Sequence, residues 1–264
     1  AAYYNQTERK RMYHESDKLM KGKQASYDAM MNRRERQGNG QRYTSKFPCF
    51  LLNGHILAEI GNDRALIDSG ALTSLGRNSS FNLGSQRFPL SRDFMGFDVD
   101  KLSDLIGMRI SVLLGADILS AFDYVIDLEN QEFLISIDSI DFQGNVLRSE
   151  YFHNIPIIQA KTDKRDVKLF FDTGSKISYL KSNIVLDYPI VGQDTDFYPG
   201  FGEFQVDIHD IPFFVAEHSL HQEMGVLPKT LEMTLVTAGI EGILGTPLFD
   251  RFKVCFSAER NQII

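Results

Sequence analysis

The stretch "LFFDTGSKISYL" (169–180) carries a carboxylate, Asp172, to the end of an apolar run and follows it with a small, permissive tripeptide. Charge at such a place is costly unless the group is hydrogen-bonded or shares its proton. An Asp followed by Ser/Thr-Gly at a strand end is also an ordinary Asx-turn. A second copy separates the two explanations: "ALIDSGALTSL" (65–75) sets Asp68 in the same context. The pattern common to both is strand, turn, strand, D-[ST]-G-[AS], two residues, Ser.

The repeat extends outward from these motifs. Residues 47–75 align in pattern with 155–180, and "VLLGADILSAFDYVIDLENQEFLIS" (112–136) aligns with "GILGTPLFDRFKVCFSAERNQII" (242–264). Each downstream block reads as two aliphatics, Gly, a short helix-like turn and a β-hairpin. Asp68 to Gly115 is 47 residues and Asp172 to Gly245 is 73, so the second half carries an insertion. Average composition gives roughly 0.1 chance occurrence of such a tripeptide in a chain of this length, and here two recur inside a matched frame.

Turn chemistry at "NGH" (53–55), "GND" (61–63), "LENQ" (128–131) and "KTDKRD" (161–166) separates short apolar runs, so the body is expected to be mainly β. Residues 1–43 differ. They are rich in helix formers, with apolar positions at Met12/Tyr13, Leu19/Met20, Tyr27 and Met30/Met31, and "QGNGQ" (37–41) reads as a linker. The expected division is a basic helical arm over 1–43, one lobe over 44–140 and a second over 141–264.

The paired motifs resemble the aspartic protease superfamily, and more narrowly a single chain with two retropepsin-like lobes. The resemblance covers residues 47–264 and implies a two-lobed pepsin/retropepsin-like fold preceded by the helical arm. It implies catalytic roles for Asp68 and Asp172, and loop-bracing roles for Ser69, Gly70, Thr173 and Gly174. Leu113–Leu114–Gly115 and Ile243–Leu244–Gly245 match the strands that brace those loops. Two carboxylates a few ångströms apart share one proton, so one activates a water while the other polarises a carbonyl. The chemistry implied is peptide-bond hydrolysis on a peptide or protein substrate, with no cofactor and no metal. The alternative is a catalytically inactive two-lobed peptide-binding or assembly module.

Such enzymes close a hairpin flap over the substrate. "DFYPGFGEFQVDIHDIPFFV" (196–215) is the candidate, with Pro199, Gly200 and Gly202 turning the chain and Tyr198 and Phe201 near its tip. The first half offers only "NLGSQRFPLSRDFMGFDVDKL" (82–102), with Phe88, Phe94 and Phe97 as possible cleft residues. Pepsin-like enzymes carry their flap in the first half, so this chain departs from that pattern.

Composition bounds the partners. The chain has 264 residues and a net charge of −7, but residues 1–43 hold ten Lys/Arg against five Asp/Glu, leaving −12 for the rest. An acidic body argues against nucleic acid. The basic arm is open to three explanations: a helix packed on the body or on a second copy, a dock for an acidic partner, or a prosegment. In the last, Lys18, Lys21, Lys23, Arg33, Arg34 and Arg36 would lie across the cleft. No run approaches the roughly 20 apolar residues of a membrane span. No signal-peptide pattern is visible, which favours the cytoplasm over the periplasm or secretion. Cys49 and Cys255 are either two buried thiols or a bridge between first and last strands. His218-x-x-His221 reads as a surface loop, and Asp98, Asp100 and Asp104 lack the Gly and terminal Glu of a calcium loop.

Overall fold

The computed structural model describes residues 43–198, 202–236 and 238–264. The helical arm and linker expected before Tyr43, and the hairpin-tip residues Pro199, Gly200 and Phe201, lie outside the described residues. What is described is mainly β.

The first half runs β1 (Thr44–Leu52), β2 (His55–Ile60), β3 (Asp63–Ile67), β4 (Leu75–Gly76), β5 (Ser80–Leu83), β6 (Gln86–Pro89), α1 (Val99–Ile106), β7 (Val112–Leu114), α2 (Ala116–Leu119), β8 (Asp123–Asp127) and β9 (Glu132–Ser136). The second half follows with β10 (Leu147–Arg148), β11 (Glu150–Phe152), β12 (Ile155–Thr162), β13 (Asp166–Phe171), β14 (Ser178–Leu180), α3 (Ser182–Val185), β15 (Ile190–Tyr198), β16 (Gly202–Val215), β17 (His218–Val226), α4 (Lys229–Val236) and β18 (Gly242–Leu244). A 3-10 turn (Thr246–Asp250), β19 (Val254–Ser257) and β20 (Gln262–Ile263) complete it.

Local chemistry explains the hairpins. Asn53 and Gly54 both adopt positive φ (48° and 79°) between β1 and β2, as a two-residue Asn-Gly turn requires. His153 and Asn154 (φ 50° and 67°) make the matching turn between β11 and β12. The turns expected at 61–63, 128–131 and 161–166 also fall between strands. Asp98 caps α1 through hydrogen bonds from Asp100 N and Lys101 N, which gives the acidic cluster a structural role.

The two halves repeat one pairing. β3 runs parallel to β7, with Ile67 opposite Leu114, and β13 runs parallel to β18, with Phe171 opposite Leu244. β4 and β14 then add antiparallel to β7 and β18. One cluster centred on Leu57, Leu66, Ile106 and Leu113 fills the first half, and one on Ile157, Phe170, Tyr179 and Ile240 fills the second. The insertion in the second half forms most of β15, β16 and β17.

The halves are nevertheless not separate sheets. β19 and β20 lie beside β8, giving a ten-stranded sheet in the order β10-β20-β19-β8-β9-β1-β2-β3-β7-β4. Aromatic contacts seal this junction: Tyr124 stacks on Phe256 with ring centres 4.6 Å apart, and Phe171 meets Phe256 at a tilt, 5.0 Å away. Phe171 immediately precedes Asp172, so the shared core sits directly beneath the second motif.

Three sequence expectations need correction. Phe88 is not a cleft residue, because β6 turns it inward to 4% exposure, with its ring 5.7 Å from Phe122. Residues 82–102 are more strand-like than expected at their start, where β5 and β6 form a small separate hairpin. His218 and His221 lie on strand β17 rather than in a loop; His221 pairs with Asp210 at 2.9 Å, while His218 packs on Phe252.

Candidate active site

Asp68 and Asp172 are each the first residue beyond a buried strand. The Asp68 amide donates to Leu114 O and the Asp172 amide to Leu244 O, both at 2.9 Å, so the flanking β7 and β18 fix both loop entries. The next residues interlock the halves. Ser69 N donates to Thr173 Oγ1 (2.9 Å) and Thr173 N to Ser69 Oγ (3.0 Å). Each hydroxyl then donates across the junction, Ser69 Oγ to Phe171 O (2.7 Å) and Thr173 Oγ1 to Ile67 O (2.8 Å). Both side chains are buried, so these four bonds form without competition from water.

Gly70 and Gly174 are glycine for want of space. A Cβ on Gly70 would lie 2.2 Å from Asp172 Cγ, and one on Gly174 would lie 2.2 Å from Asp68 Cγ. Each glycine thus faces the opposite carboxyl, which brings the two carboxyls together at the junction of the halves. Backbone donors hold their orientation: Gly70 N (3.1 Å) and Ala71 N (2.8 Å) to Asp68 Oδ1, and Gly174 N (2.9 Å) to Asp172 Oδ1.

The electrostatics follow from that crowding. Burial, then the negative charge of Asp172, raises Asp68 well above the ordinary carboxylate range. Burial also raises Asp172, opposed by hydrogen bonds from Gly174, Asp68 and Ser175. Above the ordinary carboxylate range the pair therefore keeps a proton that two exposed aspartates would release.

The serines at the end of each motif brace the loops from behind. Gly115 N donates to Ser74 Oγ (2.8 Å) and Gly245 N to Ser178 Oγ (3.0 Å). Asp117 accepts from both Ser74 N (2.9 Å) and Ser74 Oγ (2.6 Å), and Pro247 stands at the matching position of the second half. The repeated Ser in the pattern was the available signal for this brace; Asp117 carried none.

The β15–β16 hairpin reaches this site from the second half. Tyr198, its last described residue before the tip, keeps 40% exposure. Its phenol is nonetheless pushed up by desolvation and by the charges of Asp172 and Asp68, which sets it in the field of the pair. Gly202 (φ 88°) begins the return strand opposite Tyr198. Three contacts hold the hairpin down. Lys176 pairs with Asp194 at 3.1 Å, Tyr179 Oη donates to Asp196 at 2.5 Å, and Phe197 stacks on Phe97 with ring centres 6.4 Å apart. Phe94 and Phe97 therefore line the seat of this hairpin, packed with Phe197 on the first-half core.

Sequence reasoning missed His55. It is 4% exposed, and its ring lies 5.7 Å from Phe197. A lone His after an Asn-Gly turn gives no sequence signal of this.

Cys49 and Cys255 are both buried free thiols, and burial pushes each up to about 12. Among the described residues no group of three or more His, Cys, Asp or Glu is arranged to hold a metal ion. No described helix is long and apolar enough to cross a membrane. No protein-family model matches this sequence, and no curated protein matches it either.

Proposed function

We propose that the chain is an aspartic endopeptidase of the two-lobed pepsin/retropepsin-like fold, with Asp68 and Asp172 as its catalytic pair. The observation that carries this is the pair itself. Two part-buried carboxyls face each other at the junction of two repeated halves, beside four hydrogen bonds of Ser69 and Thr173, two of them reciprocal between these residues. An Asx-turn explains one such motif but not two facing each other.

With one proton on the pair, the ionised carboxylate removes a proton from a water held between the two. The resulting oxygen attacks the scissile carbonyl, whose oxygen the protonated carboxyl polarises. Collapse of the tetrahedral intermediate returns a proton to the leaving nitrogen and restores the singly protonated pair. Water, peptide bond and protons balance without a cofactor. An extended peptide lies under the β15–β16 hairpin, with Tyr198 over the pair and the Phe97–Phe197 wall beside it.

A non-catalytic peptide-binding module is the alternative, favoured by the three contacts that hold the β15–β16 hairpin down. The test is peptide-library cleavage between pH 3 and 8 by the wild type, Asp68→Asn and Asp172→Asn, with and without residues 1–43. Cleavage lost in both variants supports the enzyme, and release on truncation adds the prosegment role. A folded wild type that cleaves nothing, with or without the arm, leaves the binding module.

A further inference from the structure

We propose that Asp196 is a positioning residue for the β15–β16 hairpin, which seats beside the catalytic pair with a proton on Asp196 and loosens when that carboxyl ionises. This rests on the protease reading above for what the hairpin covers, and adds to it a control of access by pH.

The placement is geometric. Asp196 lies two residues before Tyr198 on β15, the edge strand of its sheet, and is 8% exposed. Its neighbours tie the hairpin to the site on both sides. Asp194 pairs at 3.1 Å with Lys176, two residues beyond Gly174 on the second catalytic loop. Phe197 reaches the first half, its ring 6.4 Å from Phe97 and 5.7 Å from His55. Lifting β15 breaks these contacts and gives Asp196 to water.

The donors on the carboxyl are neutral. Oδ2 accepts from Tyr179 Oη at 2.5 Å and Oδ1 from Phe197 N at 2.8 Å. Lys176, the cation in its field, is committed to Asp194. A carboxylate taken out of water with two neutral donors and no ion pair of its own among the described residues is costly. A proton removes that charge and keeps the contact, because an O–H···O bond between carboxyl and phenol forms with either oxygen as donor. The Phe197 N–H still donates to Oδ1. Burial raises Asp196 accordingly, against the hydrogen bonds from Tyr179 and Phe197 and the charge of Lys176. Burial and the charge of Asp196 raise Tyr179 as well, so the phenol keeps its own proton.

The first half has no equivalent. Tyr179 follows Ser178 in the second motif, and Leu75 follows Ser74 in the first. Both stand at one place in the repeat, opposite Ile243 on β18 and Leu113 on β7, yet only the tyrosine offers a hydroxyl. The half that carries the long hairpin is the half that carries its latch.

The sign follows from linkage. Seated, Asp196 holds its proton more tightly than in a lifted hairpin, where the carboxyl returns to 3.8. Acid therefore favours seating. Rising pH above that value favours lifting, by at most about tenfold in the opening constant per pH unit for one proton. The other groups facing this hairpin are Asp194 and Lys176, Tyr179, Glu203 opposite Phe197 on β16, Lys101 over the Phe97 ring, and Asp68 and Asp172 near Tyr198. His55 works in the opposite sense: burial holds it down at about 4, so uncovering its ring is favoured as pH falls.

The test is hydrogen exchange by mass spectrometry on the full-length protein between pH 4 and 8. Each rate, divided by the intrinsic rate at that pH, gives an opening constant for β15–β16. Asp196→Asn is decisive because its amide reproduces the protonated carboxyl, with Oδ1 accepting from Phe197 N and Nδ2 donating to Tyr179 Oη. The ratio of wild-type to Asp196→Asn opening cancels His55 and the catalytic pair, which both proteins share. That ratio rises with pH above the ordinary carboxylate range, by up to about tenfold per unit, then levels off above one. Tyr179→Phe takes a donor from the charged form and carries the rise to higher pH. Exchange in β12–β13 reports whether each variant is folded. A ratio flat from pH 4 to 8, or an Asn hairpin that opens more readily than wild type at pH 8, overturns the proposal. So does a 13C titration of Asp196 in the wild type at or below 3.8, whatever the variants do. None of these readouts needs turnover, so absence of peptide cleavage would sink the protease reading while exchange still decides the role of Asp196.

Discussion

Thr173→Val removes one oxygen from the centre of the molecule and nearly nothing else. Thr173 is fully buried, and its Oγ1 accepts from Ser69 N at 2.9 Å and donates to Ile67 O at 2.8 Å. Valine fills almost the same volume, so the loss is in hydrogen bonding rather than packing. Two neutral bonds are worth about 1 kcal/mol each, and the buried Ser69 N–H left without an acceptor adds a desolvation cost of roughly 1–2 kcal/mol. The expected destabilisation is therefore about 3–4 kcal/mol. Urea unfolding should show it as a lower midpoint at unchanged slope. By calorimetry the midpoint falls about 6–16 °C, at the 2–4 °C per kcal/mol usual for a body of this size. Ser69→Ala loses the bonds to Phe171 O and Thr173 N, and the double variant departs from additivity because both side chains tie the same two loops together. A Thr173→Val cost below about 1 kcal/mol, or strict additivity with Ser69→Ala, would refute the view that the interlock ties the halves together.

Other perturbations test the neighbouring features. The pair is raised in the folded state, so the folded protein holds a proton that the unfolded chain releases above the ordinary carboxylate value of 3.8. Its contribution to stability is greatest in acid and is lost as pH rises; Asp68→Asn or Asp172→Asn should flatten that slope and stabilise the protein at pH 7 in chemical denaturation. His55 acts in the opposite sense: lowered from 6.5 to about 4, it costs stability as pH falls through that window. The cost, about 3 kcal/mol at 1.36 per unit, should be absent in His55→Phe in unfolding curves at pH 4 and 7. Gly174→Ala places a Cβ 2.2 Å from Asp68 Cγ and must push the carboxyls apart, so peptide cleavage should fall at least a hundredfold while the circular dichroism is kept. Cys49 and Cys255 should resist a thiol reagent in the native state and yield two equivalents in denaturant; rapid native labelling would contradict their burial.

What the sequence disclosed was local. Asp68 and Asp172 announce themselves because each ends a short continuous apolar run and begins a turn, and the Asn53–Gly54 turn is written in two residues. The long hairpin was legible from its length and glycines, although β15 begins at Ile190, six residues before the expected start. What stayed hidden depends on distant partners. β8 and β19 are both apolar strands, and nothing in either says that Val254 pairs with Ile126. Phe88 and Phe97 look alike in sequence; one turns into the core and the other waits for Phe197 from the far half. His55 reads as the polar end of a turn until Phe197 of the second half is brought to it.

The pairing of β8 with β19 also fixes when the molecule can be finished. β8 is buried along its whole length, and its outer flank is covered only by a strand that begins at Val254. Synthesis at roughly 5–20 residues per second leaves that flank without its partner for about 6–25 s after Asp127 is made. During that interval a nascent chain presents a bare apolar ladder edge to its neighbours on the polysome, the kind of edge that pairs with another copy. Expression yield should therefore depend on translation speed between these strands, even where the finished protein is equally stable.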